Sequence, residues 1–163
     1  MDDPTAPERS RFAELAAAQA DPWANFPDDH KALFPSYLGL ILEEVRADYA
    51  RMRLPFRAEL TQPAGMMHGG AVVALVDTCV VPAIGSAFEE RRALFTIDLR
   101  TDFMAPVMGD AIAEGWIEKR GRSTVFCRAA VRDEQGELCA TASLVYKVGR
   151  ALKLQTAPTP GRA

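Results

Sequence analysis

The chain has 163 residues, 48% hydrophobic and 25% charged, with a formal net charge of -3 from 19 basic and 22 acidic side chains. That length suits one domain, since domains commonly run to about 100–200 residues, and the composition excludes wholesale disorder. The balanced charge lacks the basic excess of a nucleic-acid-binding domain, so no nucleic-acid partner is expected.

Residues 1–35 read as an N-terminal extension. Glu8 to Ala20 has the spacing of a short helix, with Phe12, Leu15 and Ala16 on one stripe, and Asp21-Pro22 ends it. Trp23, Phe26 and Phe34 follow among prolines and aspartates, as an aromatic-packed segment expected to cover the domain rather than to cap a pocket. The domain itself is expected over residues 36–148. Leu38 to Val45 reads as a strand, Ala47-Asp48 as a turn, and Tyr49 to Leu54 as a half-buried strand with Ala50, Met52 and Leu54 on one side. Pro55 and Pro63 frame the connection into Gly65-Met66-Met67-His68-Gly69-Gly70.

Gly69 to Phe88 is apolar over 20 residues, with Asp77 its one charge. Such a run is long enough to span a membrane. Asp77 near its middle, Pro82 inside it and Gly69-Gly70 at its start instead predict a buried helix, kinked by Pro82 about one turn past Asp77. No membrane partner is expected.

Beyond Arg92 the period changes to two. Phe95, Ile97, Leu99, Thr101 and Phe103 are expected on one face, with Thr96, Asp98, Arg100 and Asp102 on the other. Ile112 to Glu118, Thr124 to Arg132 and Leu138 to Val148 alternate in the same way, joined by turns at Arg120-Gly121-Arg122 and Asp133–Gly136. In the last strand Leu138, Ala140, Ala142, Leu144 and Tyr146 share a face. Residues 149–163 read as a flexible tail. No strand–helix–strand alternation recurs, so the fold class is α+β: an antiparallel sheet wrapped around one central apolar helix. Cys79, Cys127 and Cys139 are odd in number and form no CxxC pair, and Met-Asp-Asp-Pro opens no signal-peptide pattern. Reduced thiols and a cytoplasmic location are expected.

Between Ala64 and Phe88, His68 and Asp77 are the ionisable side chains apart from the Cys79 thiol. A carboxylate among apolar neighbours needs partners, whether a backbone amide, a serine or a reacting group. Gly69-Gly70 at a helix start leaves unpaired amides open to a ligand oxygen, as in an oxyanion hole, although glycines also serve tight turns. His68 could equally be satisfied by backbone. No second histidine or cysteine stands at ligand spacing, so no metal site is expected. His68 and Asp77 are nine residues apart, which turns a helix by about 900° and advances it by roughly 13–14 Å. Their side chains point in opposite directions, so one reaction using both needs a second copy of the chain.

Gln62, Gly65, His68-Gly69-Gly70, Asp77 and Phe103-Met104-Ala105-Pro106 together resemble the hotdog-fold thioesterases, in particular the phenylacetate-degradation (PaaI-like) branch. The resemblance spans about residues 38–148. It implies hydrolysis of acyl-coenzyme A without metal or other cofactor, in a homodimer or dimer of dimers whose active sites lie between two chains. Carried onto this chain, Asp77 attacks the thioester or activates water, and the Gly69 amide polarises the carbonyl. Gln62 orients water or carbonyl, His68 holds the loop or the thioester, and Thr96 lies near the reacting centre. Gly70 joins the substrate-binding start of the helix. Lys119-Arg120-Gly121-Arg122-Ser123-Thr124 resembles a loop that meets the coenzyme A nucleotide; its cations and hydroxyls suit a phosphate, and equally a solvated hairpin tip. A non-catalytic acyl-coenzyme A binder would need no acid on the helix. A hydratase on this fold would place its histidine and acid together in one chain.

Overall fold

A computed structural model of the chain describes residues 7–28 and 33–152. A 3-10 turn at Arg9–Arg11 and the one-turn helix α1 (Ala17–Ala20) stand where a continuous helix was expected over Glu8 to Ala20. A short helix is marginal by itself, and tertiary contacts win here. Phe12 stacks on Tyr49 with ring centroids 5.0 Å apart, and the Ala13 carbonyl accepts from the Ala47 amide at 2.9 Å. Helix α2 (Phe34–Leu38) ends at Gly39, whose φ of 73° closes it in the left-handed region. The first strand therefore begins at Ile41, and Leu38, expected within it, ends a helix instead.

The remaining elements are β1 (Ile41–Arg46), β2 (Tyr49–Leu54), α3 (Gly69–Gly85), β3 (Arg92–Phe103), β4 (Ala111–Arg120), β5 (Thr124–Arg132) and β6 (Leu138–Ala151). The six strands form one sheet in the order β1-β2-β4-β5-β6-β3, antiparallel throughout. Strand β6 runs on to Ala151, opposite Arg92, where a tail was expected from residue 149. Residues 153–163 of that tail, and 1–6 and 29–32 of the N-terminal extension, lie outside the described residues.

The sheet wraps α3. Ala50, Met52 and Leu54 of β2, Ala111 and Ala113 of β4, and Val125, Cys127, Ala129 and Val131 of β5 are buried with Val72, Leu75, Val76 and Val80 of the helix. A helix surrounded in this way must be apolar on nearly every side. No helix among the described residues is long and apolar enough to cross a membrane. Pro82 has no N–H to offer the preceding turn, yet α3 continues to Gly85, and the Ser86 amide returns to the Pro82 carbonyl at 2.8 Å. Leu138, expected with Ala140 and Tyr146, packs on the outer face beside Tyr49 and Trp116. The cause is a bulge: Val131 pairs with Ala140 and Arg132 with Leu138, so Cys139 is an extra residue that reverses the alternation.

Trp23 seals the far end of α3. Arg91 lies over the Trp23 and Phe26 rings, 5.1 Å from each centroid, and donates to the Pro22 carbonyl. Trp23 thus stands about 24 Å along the helix from Gly69, given a rise of 1.5 Å per residue. This part of the extension covers the domain. A Cβ added at Gly85 would fall 1.9 Å from Trp23 Cζ2. Gly85→Ala gains about 1 kcal/mol of helix propensity but must displace a buried ring, which costs about 1–3 kcal/mol. The ring wins: a net loss of up to about 2 kcal/mol in chemical denaturation is expected, with activity of the folded fraction unchanged.

The two edges of the sheet differ. β1 is six residues long, with a bulge at Glu43 whose carboxylate pairs with Arg51 and Arg53, each at 2.8 Å. β3 is twelve residues long, and Phe95, Ile97 and Phe103 are each more than half exposed, as are Met104 and Met108 beyond it. The expected single face of Phe95, Ile97, Leu99, Thr101 and Phe103 does not form. Thr96 pairs with Tyr146 and Asp98 with Val145, which makes Ile97 a bulge. Leu94 packs on the core before the bulge and Leu99 after it, while Phe95 turns outward.

Candidate active site

The start of α3 is delivered by the loop after Leu60. The His68 amide donates to the Leu60 carbonyl at 2.7 Å and the Met67 amide to Val107 at 2.9 Å, so the loop is tied down on both sides. A turn closes at Gly65, with φ 85°, where its amide meets the Gln62 carbonyl at 2.8 Å. Gln62 Oε1 accepts from the Ala64 amide at 2.9 Å, and its Nε2 has no hydrogen-bond partner among the described residues. Gln62 and Gly69 line one cleft of about 430 Å³, together with Met66, Val72, Phe103 and Met104.

His68 caps the helix: its Nδ1 accepts from the Gly70 amide at 2.9 Å. An accepting Nδ1 puts the proton of the neutral ring on Nε2. The Gly70 amide is thereby occupied, whereas the Gly69 amide has no partner among the described residues. Of the two glycines expected at the helix start, Gly69 offers the open donor, at the positive end of the helix dipole.

Asp77 does not line this cleft. Eight residues past Gly69, it lies about 12 Å further along the helix. Its Oδ1 accepts from Thr96 Oγ1 at 3.0 Å and from the Tyr146 hydroxyl, which also lies 2.7 Å from the Asp77 carbonyl oxygen. Thr96 and Tyr146 face each other across β3 and β6. Burial, then the charge of Asp77, push the Tyr146 phenol well above its ordinary range, so it remains a protonated donor. The neighbouring Cys127 thiol is pushed up to about 12, mainly by burial.

The hairpin of β4 and β5 divides the basic residues. Lys119, Gly121, Arg122 and Ser123 are exposed, and Thr124 is partly so. Arg120 turns inward. Its Nε donates to Asp48 Oδ1 at 2.7 Å, and Nη2 reaches the same carboxylate oxygen and the Ala83 and Ile84 carbonyls at 3.1 and 3.0 Å. It caps the C-terminal carbonyls of α3 and is spent on the fold rather than offered to a phosphate. Asp48, with φ 63° at the β1–β2 turn, is the partner that fixes it. Among the described residues no three His, Cys, Asp or Glu side chains converge as a metal site.

The thioesterase superfamily model matches residues 64–140, from the loop before α3 into β6. A protein of Halobacterium salinarum named as a candidate esterase is 35% identical over 106 residues, covering 62% of this chain and 68% of that protein. The proofreading thioesterase EntH of Klebsiella pneumoniae is 30% identical over 110 residues, covering 67% of this chain and 80% of EntH. The chain belongs to the thioesterase superfamily. The structure of the PaaI protein of E. coli, from the phenylacetic acid degradation operon, superposes with a TM-score of 0.74 over 85% of this chain and 98% of that one. At 16% identity that likeness speaks for the fold, and the sheet around α3 is the hotdog fold.

This thioesterase is a hydrolase of thioesters. Within the chain Gln62, His68, Gly69 and Gly70 gather at the start of α3, while Asp77 and Thr96 meet two turns away. Tyr146 was missed as a site residue because its alternation explained it as core. A signal was there: a buried tyrosine needs a partner for its hydroxyl, and Asp77 is the one carboxylate on the helix it faces.

Proposed function

We propose that the thioesterase cleaves acyl-coenzyme A to free acid and coenzyme A in sites shared by two copies of the chain, with no metal or cofactor. The observation that carries this reading is the separation of two incomplete halves. One half holds a Gly69 amide with no partner among the described residues beside Gln62; the other holds an oriented carboxylate next to an exposed sheet edge. Each lacks what the other has, and neither reaches the other within one chain. In the shared site the Gly69 amide polarises the thioester carbonyl and stabilises the oxyanion. Asp77 attacks the carbonyl carbon or takes a proton from the attacking water, and the coenzyme A thiolate departs. Gln62 holds the water or the carbonyl. His68 keeps the helix start in shape, and it stands nine residues from Asp77, whereas a hydratase would need its histidine and acid together in one chain.

The test is thiol release from a panel of acyl-coenzyme A esters varied in chain length and aromaticity. Saturable binding across the panel with no turnover would leave an acyl-coenzyme A sensor as the better reading. The hairpin gives a separate prediction. In this reading the exposed Lys119 and Arg122 meet the nucleotide phosphates, and a hydrogen bond to a charged group contributes about 1.5 kcal/mol or more. Arg122→Ala should raise KM for acyl-coenzyme A about tenfold and leave KM for the matching acyl-pantetheine unchanged. Arg120→Ala should instead lower the melting temperature.

A further inference from the structure

We infer that Tyr146 is a positioning residue which, with Thr96, pins Asp77 by one oxygen, so that Oδ2 is the atom that reacts. The inference rests on the proposed role of Asp77 and goes beyond it by naming the oxygen and the device that selects it. Asp77 Oδ1 accepts from both Thr96 Oγ1 and the Tyr146 hydroxyl, while Oδ2 has no partner among the described residues. A carboxylate held at one oxygen by two donors from two strands cannot rotate freely about its Cβ–Cγ bond. Its free oxygen then points in one direction without entropy to be lost at each turnover. Tyr146 also sits 2.7 Å from the Asp77 backbone carbonyl, so the same phenol is registered against main chain and side chain of one residue.

The sheet is built to hold this arrangement. Thr96 and Tyr146 are direct cross-strand partners, so the donors stand side by side. The bulge at Ile97 follows at once, and bulges of this kind re-aim a neighbouring side chain. Without it, Phe95 and Leu99 would share a parity, and the strand could not supply both a hydroxyl to Asp77 at residue 96 and an apolar side chain to the core at residue 99. Thr96 is exposed and Tyr146 is 2% exposed, so one donor faces the open side of the carboxylate and the other its buried side. The phenol stays protonated and donates to Asp77.

The test is a kinetic cycle on the full-length protein. Tyr146→Phe keeps the ring and its packing, and is expected to lower kcat about tenfold, the order for one hydrogen bond to a charged group, with KM unchanged. Thr96→Val should do likewise, and Thr96→Ser should restore the rate. In the Asp77→Asn background, Tyr146→Phe should have no further effect, because residues acting as one unit are not additive. A melting curve close to wild type shows that the variant is folded. If Tyr146→Phe turns over like wild type, or costs the same factor with and without Asp77, the positioning role is wrong. If Asp77→Asn itself hydrolyses like wild type, the reading of Asp77 fails instead. The two failures are thus told apart.

Discussion

Asp77→Asn is expected to lower kcat for acyl-coenzyme A hydrolysis by about 10²–10⁴-fold, the range that a positioned acid–base group contributes. The substitution keeps the size of the side chain, and an amide oxygen can still accept from Thr96 Oγ1 and the Tyr146 hydroxyl. What is lost is the negative charge and the basic oxygen. KM should therefore change little and the melting temperature should hold, which separates loss of chemistry from loss of fold. A single turnover in isotope-labelled water distinguishes the two roles of the acid when label is found in the protein. Attack by the carboxylate passes through an anhydride, and water that opens it at the Asp77 side-chain carbonyl leaves its oxygen on Asp77, whereas activation of water labels the released acid alone. A variant with wild-type turnover removes Asp77 from the mechanism.

The second large effect is expected at the open edge. Ile97→Lys places a charge on the bulge of β3, near Phe95 and on the strand that ends at Phe103, all three residues more than half exposed as they stand. A lysine on an edge strand opposes pairing with another strand. Light scattering should show half the wild-type mass, and hydrolysis should fall by at least about 10²-fold, because a lone chain keeps Gly69 and Asp77 about 12 Å apart along one helix. Raising the protein concentration should restore mass and activity together. A monomer with full activity would show that the site is not shared. Mixing an inactive Asp77→Asn chain with a chain altered at Gln62 gives a complementary check, since each mixed dimer holds one intact site.

Much of this was readable from residues alone, for reasons that differ by element. β2 begins and ends where alternation placed it, at Tyr49 and Leu54, since one face meets the helix and the other meets solvent or extension. The start of α3 at Gly69 followed from Gly-Gly before an apolar run. Alternation misled wherever the chain inserts a residue: Ile97 and Cys139 each shift the parity, and no local composition marks them. The helix expected from Glu8 to Ala20 lost to Phe12 stacking on Tyr49, a contact across 37 positions of sequence. Arg120 could not be separated from Lys119 and Arg122 by charge. Only the position of Asp48 and the end of α3 shows which of the three faces inward. For the site, spacing sufficed to separate Asp77 from His68, whereas the clasp on Asp77 needed β3 and β6 in register.

The unlike edges of the sheet also set how far assembly can go. A strand that adds to β1 meets a short edge, bent at Glu43 and held by ion pairs to Arg51 and Arg53, whereas β3 is twice as long and exposes Phe95, Ile97 and Phe103 among its charges. If β3 of one chain joined β1 of the next, sheets would extend head to tail without limit, in the manner of a fibre. In the proposed dimer β3 would meet another β3, so that a twofold axis falls between the strands and both exposed edges are consumed at once. The inequality that would bring two half-sites together would then also terminate growth, and keep a chain with a twelve-residue exposed strand from polymerising through it.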